Sequence, residues 1–284
     1  MSRPTPPNPT NPQSVDAGTE APVWPVYAAC PAPPTPTPPK PLKPWGPWAT
    51  LGLLLASVAI GIVLTIPIGI AWLLVDSISR NEITPGFAPE DTASMFAMEM
   101  TVVAASQFGM LGGVVFFAWL RRPVSLRSYF ALRPVGWRTL GWGLLAIVGV
   151  LGFEMVVSWL RDAPVPESVA ELMRYPQALP LVWLIVVLVA PLCEEAVFRG
   201  FMWRGLIDTR LGLHGTVVVT CLPWTLLHLG QYDLAGMLMI FISGLTFGYA
   251  RHLSASLWVP MFMHFVMNLV AMTGVTILWS TGQL

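Results

Sequence analysis

Four stretches of this 284-residue chain put groups that could do chemistry into apolar surroundings. The segment PLCEEAVFRG carries Glu194, Glu195 and Arg199. On a helix, Glu195 and Arg199 stand at i and i+4 and can pair on one face. Glu194 points about 100° away, opposite no cation of its own helix. An unpaired carboxylate in an apolar setting suits a general base. The competing reading is that both acids only hold Arg199 or pack helices. TCLPWTLLHLG puts His228 four residues after Trp224, and SLWVPMFMHFVMN puts His264 four residues before Asn268. Together Glu194, His228, His264 and Asn268 offer a base, two imidazoles and an amide. Such a set can activate a water and stabilise an oxyanion.

Those side chains need elements to carry them, and the composition says which. Hydrophobic residues make up 55% and charged residues 11%, against about 25% charge in an average soluble domain. A soluble enzyme, a nucleic-acid binder and a disordered regulator are thereby disfavoured, and a net charge of zero gives no field toward nucleic acid. The expectation is an all-α, polytopic membrane helix bundle. Seven stretches approach the ~20 apolar residues of a membrane span: 49–75, 95–120, 139–160, 181–203, 213–231, 234–250 and 256–279. Before them, residues 1–48 hold 16 of the 28 prolines and read as a disordered, polyproline-rich cytoplasmic tail. Residues 49–284 then form the membrane domain, its functional core at about 181–279.

Loop charges set an orientation. Lys40 and Lys43 precede the first span, and Arg121, Arg122, Arg127, Arg133 and Arg138 crowd the second loop without an acid. Arg204, Arg210 and Arg251 follow in later loops on the same side, whereas Asp76, Glu82, Glu90 and Asp91 face Arg80 alone in the first loop. The positive-inside rule puts the N-terminus in the cytoplasm and, with seven spans, the C-terminus outside. The plasma membrane is the expected location. Gly109 with Gly113, and Gly244 with Gly248, have the spacing that lets helices approach closely.

Other groups carry less. His214 and His252, beside Arg210 and Arg251, read as interfacial. Glu99, Gln107 and Glu154 are polar groups inside spans; each glutamate is expected either to pair with an arginine or to line a cavity. Cys30, Cys193 and Cys221 form no CxxC pair and read as free thiols, Cys193 buried and inert.

The order and spacing of Glu194-Glu195-x-x-x-Arg199, Trp224-x-x-x-His228 and His264-x-x-x-Asn268 resemble the three motifs of the CPBP family of intramembrane proteases. That family includes the Rce1-type CAAX prenyl endopeptidases and the bacterial Abi-type proteins. The resemblance covers about 183–272, with Trp224 where the family usually has phenylalanine. It implies a helical bundle with a cavity inside the membrane, open to the cytosol. It further implies that Glu194 and His228 hold a water for peptide hydrolysis, that His264 and Asn268 stabilise the oxyanion, and that Glu195 and Arg199 support them. The substrate would be a membrane-associated peptide or protein, the partner the lipid bilayer, and nucleic acid none. No cofactor is certain. A divalent metal such as zinc would draw on Glu194, His228 and His264. Two other readings stay open: a non-catalytic immunity or assembly protein that keeps the fold, and a proton-coupled transporter using Glu99, Glu154 and Glu194.

Overall fold

A computed structural model describes residues 44–79, 92–122 and 124–284. No strand forms among them; the elements are helices α1 (Pro47–Ser79), α2 (Thr92–Leu120), α3 (Leu126–Tyr129), α4 (Trp137–Leu160), α5 (Glu167–Glu171), α6 (Pro176–Leu206), α7 (Gly212–Leu226), α8 (Leu234–Ser254) and α9 (Trp258–Ser280). Six of these, α1, α2, α4, α6, α8 and α9, are long and apolar enough to cross a membrane. The protein is therefore an integral, multi-pass membrane protein. Of the polyproline tail expected over 1–48, residues 1–43 lie outside the described residues, and Pro47 and Trp48 already belong to α1.

The count differs from seven at one place. The stretch 213–231 does not form one helix of spanning length, although, with the turn after it, it still carries the chain from the arginine-rich end of α6 to the opposite end, where α8 begins. Its helix α7 has 15 residues, about 22 Å at 1.5 Å per residue, against a ~30 Å hydrocarbon layer. It ends at Leu226, and His228 lies in the turn that follows. A hydropathy window averages that turn into the helix before it.

Small residues set how closely the helices pack. A Cβ added to Gly113 would lie 2.8 Å from the Ser57 side chain on α1, and one added to Gly248 would lie 2.9 Å from Val217 on α7. Only glycine allows these approaches, so the glycine pairs act as read from their spacing. At the arginine-rich end, α3 is tied to the turn between α8 and α9. Leu257 donates its backbone N–H to Ala131 (3.1 Å), and the Ser256 hydroxyl donates to the Arg133 carbonyl (2.6 Å). Tyr129, Phe130, Phe201, Leu206, Leu257 and Met263 fill a buried core there.

Candidate active site

Helix α6 widens twice along its length. It is α-helical over Leu179–Trp183, wider (i to i−5) over Leu184–Val189, α-helical over Ala190–Glu195, and wider again over Ala196–Met202. The first change has a covalent consequence. The Ala190 N–H bonds back to the Ile185 carbonyl, which leaves the Val186 carbonyl for residue 191. Residue 191 is proline and has no N–H to give. Asn268 fills the gap: its Nδ2 donates to the Val186 carbonyl at 2.7 Å. Pro191 thus creates an orphan acceptor that a side chain of α9 satisfies. Wide turns of this kind recur at functional sites.

The two neighbouring carboxylates divide as their helical positions require. Glu195 is fully buried and accepts from Arg199 Nη1 at 2.9 Å. It also accepts from His264 Nδ1 at 3.1 Å. Arg199 in turn donates Nη2 to the Gly244 carbonyl (2.9 Å) and lies 4.7 Å from the centroid of the Trp224 ring. Its own carbonyl accepts from Arg251 Nε at 3.1 Å. Such partners meet the remaining valences only in part: Glu195 Oε2 and Arg199 Nε are buried without a partner among the described residues, so the pair leans on the Glu195–Arg199 contact itself.

Glu194 has neutral donors in place of a cation. Its Oε1 accepts from Gln107 Nε2 on α2 (3.0 Å), and its Oε2 accepts from Trp224 Nε1 on α7 (2.6 Å). Trp224 also accepts through its backbone carbonyl from His228 Nδ1 at 3.1 Å. One residue therefore joins the glutamate of the first motif to the histidine of the second. A carbonyl can only accept, so His228 carries its proton on Nδ1, and Nε2 is its free nitrogen. The same logic on Glu195 puts the Nδ1 proton on His264.

Glu194, His228, His264 and Asn268 line one cavity of about 630 Å3, as do Gln107, Glu99 and Tyr232. The four residues singled out from the sequence are brought together. His264 packs edge-on against Trp224 (5.5 Å between centroids) and stacks on Phe247 (5.1 Å). Of the two glutamates left unplaced by the sequence, Glu99 lines the cavity. Glu154 acts on Tyr232, whose phenol is pushed up by burial and secondarily by that charge. His214 bonds Tyr249 at 2.8 Å and is exposed, as an interfacial group should be. Cys193 and Cys221 are buried free thiols.

The metal set does not fit. Among the described residues no group of three His, Cys, Asp or Glu is placed to hold an ion. Each histidine keeps Nε2 open, its Nδ1–H held on a backbone carbonyl or a carboxylate, so the mismatch lies in the spacing of the donors and not in their valence. No step below passes through a metal.

Sequence reasoning missed the two donors of Glu194. Gln107 appeared only as a polar residue within a span, and Trp224 only as an aromatic before a histidine. A carboxylate in an apolar segment demands donors from other segments, and these two are the amide and the indole that answer.

Residues 176–270 match the family described as Type II CAAX prenyl endopeptidase Rce1-like. The Bacillus subtilis (strain 168) protein named "Putative membrane peptidase YdiL" is 29% identical over 106 residues, which are 36% of this chain and 40% of that protein. The chain thus covers two fifths of the length of this curated relative. No solved structure matches the chain. The resemblance to the CPBP/Rce1 type read from the three motifs is borne out over that segment.

Proposed function

We propose that this membrane protein, Rce1-like over residues 176–270, is an intramembrane endopeptidase that hydrolyses a peptide bond of a membrane-associated peptide or protein. The observation that carries the reading is the Trp224 bridge. It holds Glu194 and His228 on one wall of a cavity that the other two candidates also line.

In this reading a water sits between a lone pair of Glu194 and Nε2 of His228. Glu194 takes a proton as the water oxygen bonds to the substrate carbonyl carbon. The tetrahedral oxyanion forms opposite His264 and Asn268. Asn268 has one N–H left after serving Val186. His264 offers a donor at Nε2 only as imidazolium, with Nδ1–H kept on Glu195, so the Glu195 carboxylate stabilises the working charge. The C–N bond then breaks and the proton held by Glu194 passes to the leaving amine. Gln107 Oε1 is buried and has no partner among the described residues. It is an acceptor beside Glu194 suited to a substrate backbone N–H.

A second reading has one specific observation in its favour. Every candidate residue already makes a structural hydrogen bond, which a non-catalytic protein retaining the fold would also need. Purified protein in liposomes, challenged with a panel of membrane-inserted peptides, separates the two. The expected outcome is cleavage of at least one peptide by the wild type and none by Glu194→Gln. Equal cleavage by the variant removes the proposed role of Glu194.

A further inference from the structure

The cavity and the arginines lie at opposite ends of the bundle. At one end stand Arg121, Arg122, Arg127, Arg133, Arg138, Arg204, Arg210 and Arg251, with Asp208 the only acid among them in the sequence. At the other end Arg161 and Arg174 each pair with an acid, Asp233 and Glu171, and Asp162 and Glu167 add negative charge. The cavity is walled at this acidic end by Ser168 and Glu171 of α5, by Leu172 just after it, and by Gln231 and Tyr232 of the turn after α7. It runs inward along α2, from Phe96 and Glu99 to Met110, and ends at Glu194 and His264. Glu194 is 12 residues from the inner end of α6, or about 18 Å of helix. That depth is filled on the arginine side by Tyr129, Phe130, Phe201, Met202, Leu206 and Leu257, all buried. Among the described residues the cavity therefore has its floor toward the arginines and its mouth away from them.

An opening to the cytosol and cytoplasmic arginine loops cannot both hold for this chain. The arginine bias is the stronger constraint, because short basic loops resist translocation. We infer that the candidate site is reached from the extracytoplasmic face. This inference rests on the proposed peptidase reading for its substrate, and it narrows that substrate. The cleaved bond belongs to the outer juxtamembrane or membrane-buried part of an anchored or exported polypeptide. A lipidated tail on the cytoplasmic leaflet would have to draw polar backbone through the packed floor.

Single cysteines test the geometry in a Cys30→Ser background, the other two native thiols being buried. Glu171→Cys reports the mouth, Arg127→Cys the opposite face, and Ser106→Cys the cavity wall at mid-depth. Right-side-out vesicles are treated with a membrane-impermeant thiol reagent. Glu171→Cys and Ser106→Cys are expected to react, and Arg127→Cys only after the vesicles are opened. The reversed pattern overturns the inference, and so does a Ser106→Cys that reacts from neither side. The labelling needs no turnover, so a protein that cleaves nothing leaves this result standing and removes only the peptidase reading. The substrate arm uses a quenched membrane-anchored peptide added from outside. Cleavage in right-side-out vesicles supports the narrowed substrate class, and cleavage in inside-out vesicles alone overturns it.

Discussion

Helices α1 and α6 are both long enough and apolar enough to cross a membrane, yet they are opposite kinds of element. In the most apolar stretch of α1 only 6% of residues are buried, whereas in that of α6 the share is 61%. Helix α1 turns Leu55, Val63, Ile66 and Ile70 outward, where lipid would cover them. Helix α6 is enclosed on most sides and carries Glu194, Glu195 and Arg199, all buried. Lipid solvates apolar side chains as well as a protein core does, so hydropathy cannot separate the two. The separating mark is the charge a helix carries. A buried charge requires partners from other helices, and those partners make α6 the hub.

The largest expected effect lies at the hub. Glu194→Gln should lower turnover by about 10²- to 10⁴-fold, the usual range for a lost general base. Unfolding by detergent titration should be near normal, because the glutamine oxygen can still accept from Trp224 while its amide donates to the oxygen of a turned-over Gln107. Arg199→Met should act in the other order. It leaves Glu195 buried without its countercharge, an imbalance of about 3–5 kcal/mol, and fold and turnover should fall together. Glu195→Gln should likewise lower both. A well-folded, inactive Glu195→Gln beside an active Glu194→Gln would reverse the roles of the two acids.

The next effect sets the hub against the lipid-facing helix through two glycines. A Cβ on Gly244 would come within 2.8 Å of the Trp224 ring. Gly244→Ala should cost about 1–3 kcal/mol as overpacking and should move Trp224 off Glu194, reducing turnover by more than the loss of folded protein explains. A Cβ on Gly52 in α1 meets nothing within 4 Å. Gly52→Ala should change stability by no more than about 0.5 kcal/mol, as surface changes usually do. Matching losses in the two variants, read as the detergent midpoint, would erase the distinction between α1 and α6.

Much of the hub is legible in the sequence because it is local. The Glu195–Arg199 pair and the Trp224–His228 link are i,i+4 relations that helical geometry imposes. The glycine pairs announce close approach for the same reason. What stays hidden is contact between segments. Nothing in the spacing of Gln107 says that it meets Glu194, 87 residues away. The service of Asn268 to Val186 is half legible: Pro191 marks an orphan carbonyl, but only the fold says who satisfies it. Hydropathy puts His228 inside a span because the turn that carries it is as apolar as the helix before it. The direction of the cavity mouth needs charge pattern and packing at once, and neither alone gives it.

The smallest expected effect lies far from the hub, at the cavity mouth. Arg161 donates to Asp233, and Ser168 donates to the Gln231 carbonyl at 2.7 Å, so two links join the α4–α5 segment to the turn before α8. The Arg161 hydrogen bond, with that from the Gly236 N–H, holds the Asp233 carboxyl below its ordinary value. A depressed carboxyl pKa contributes stability that is complete above the ordinary value of about 3.9. That contribution is lost as pH falls through the folded value. The mouth should therefore be indifferent to pH from about 5 to 8 and loosen only in stronger acid. Both partners are solvent-exposed, at 44% and 58%, so salt screens the pair and its worth is slight. Asp233→Asn removes the charge but keeps a good helix cap. It should leave turnover at neutral pH unchanged and abolish the acid loosening, read as hydrogen exchange of the α5 amides. Were Asp233→Asn to cost as much turnover as Glu195→Gln, the mouth would belong to the machinery it covers, and the contrast between an embedded hub and a solvated rim would have to be redrawn around the cavity as a whole.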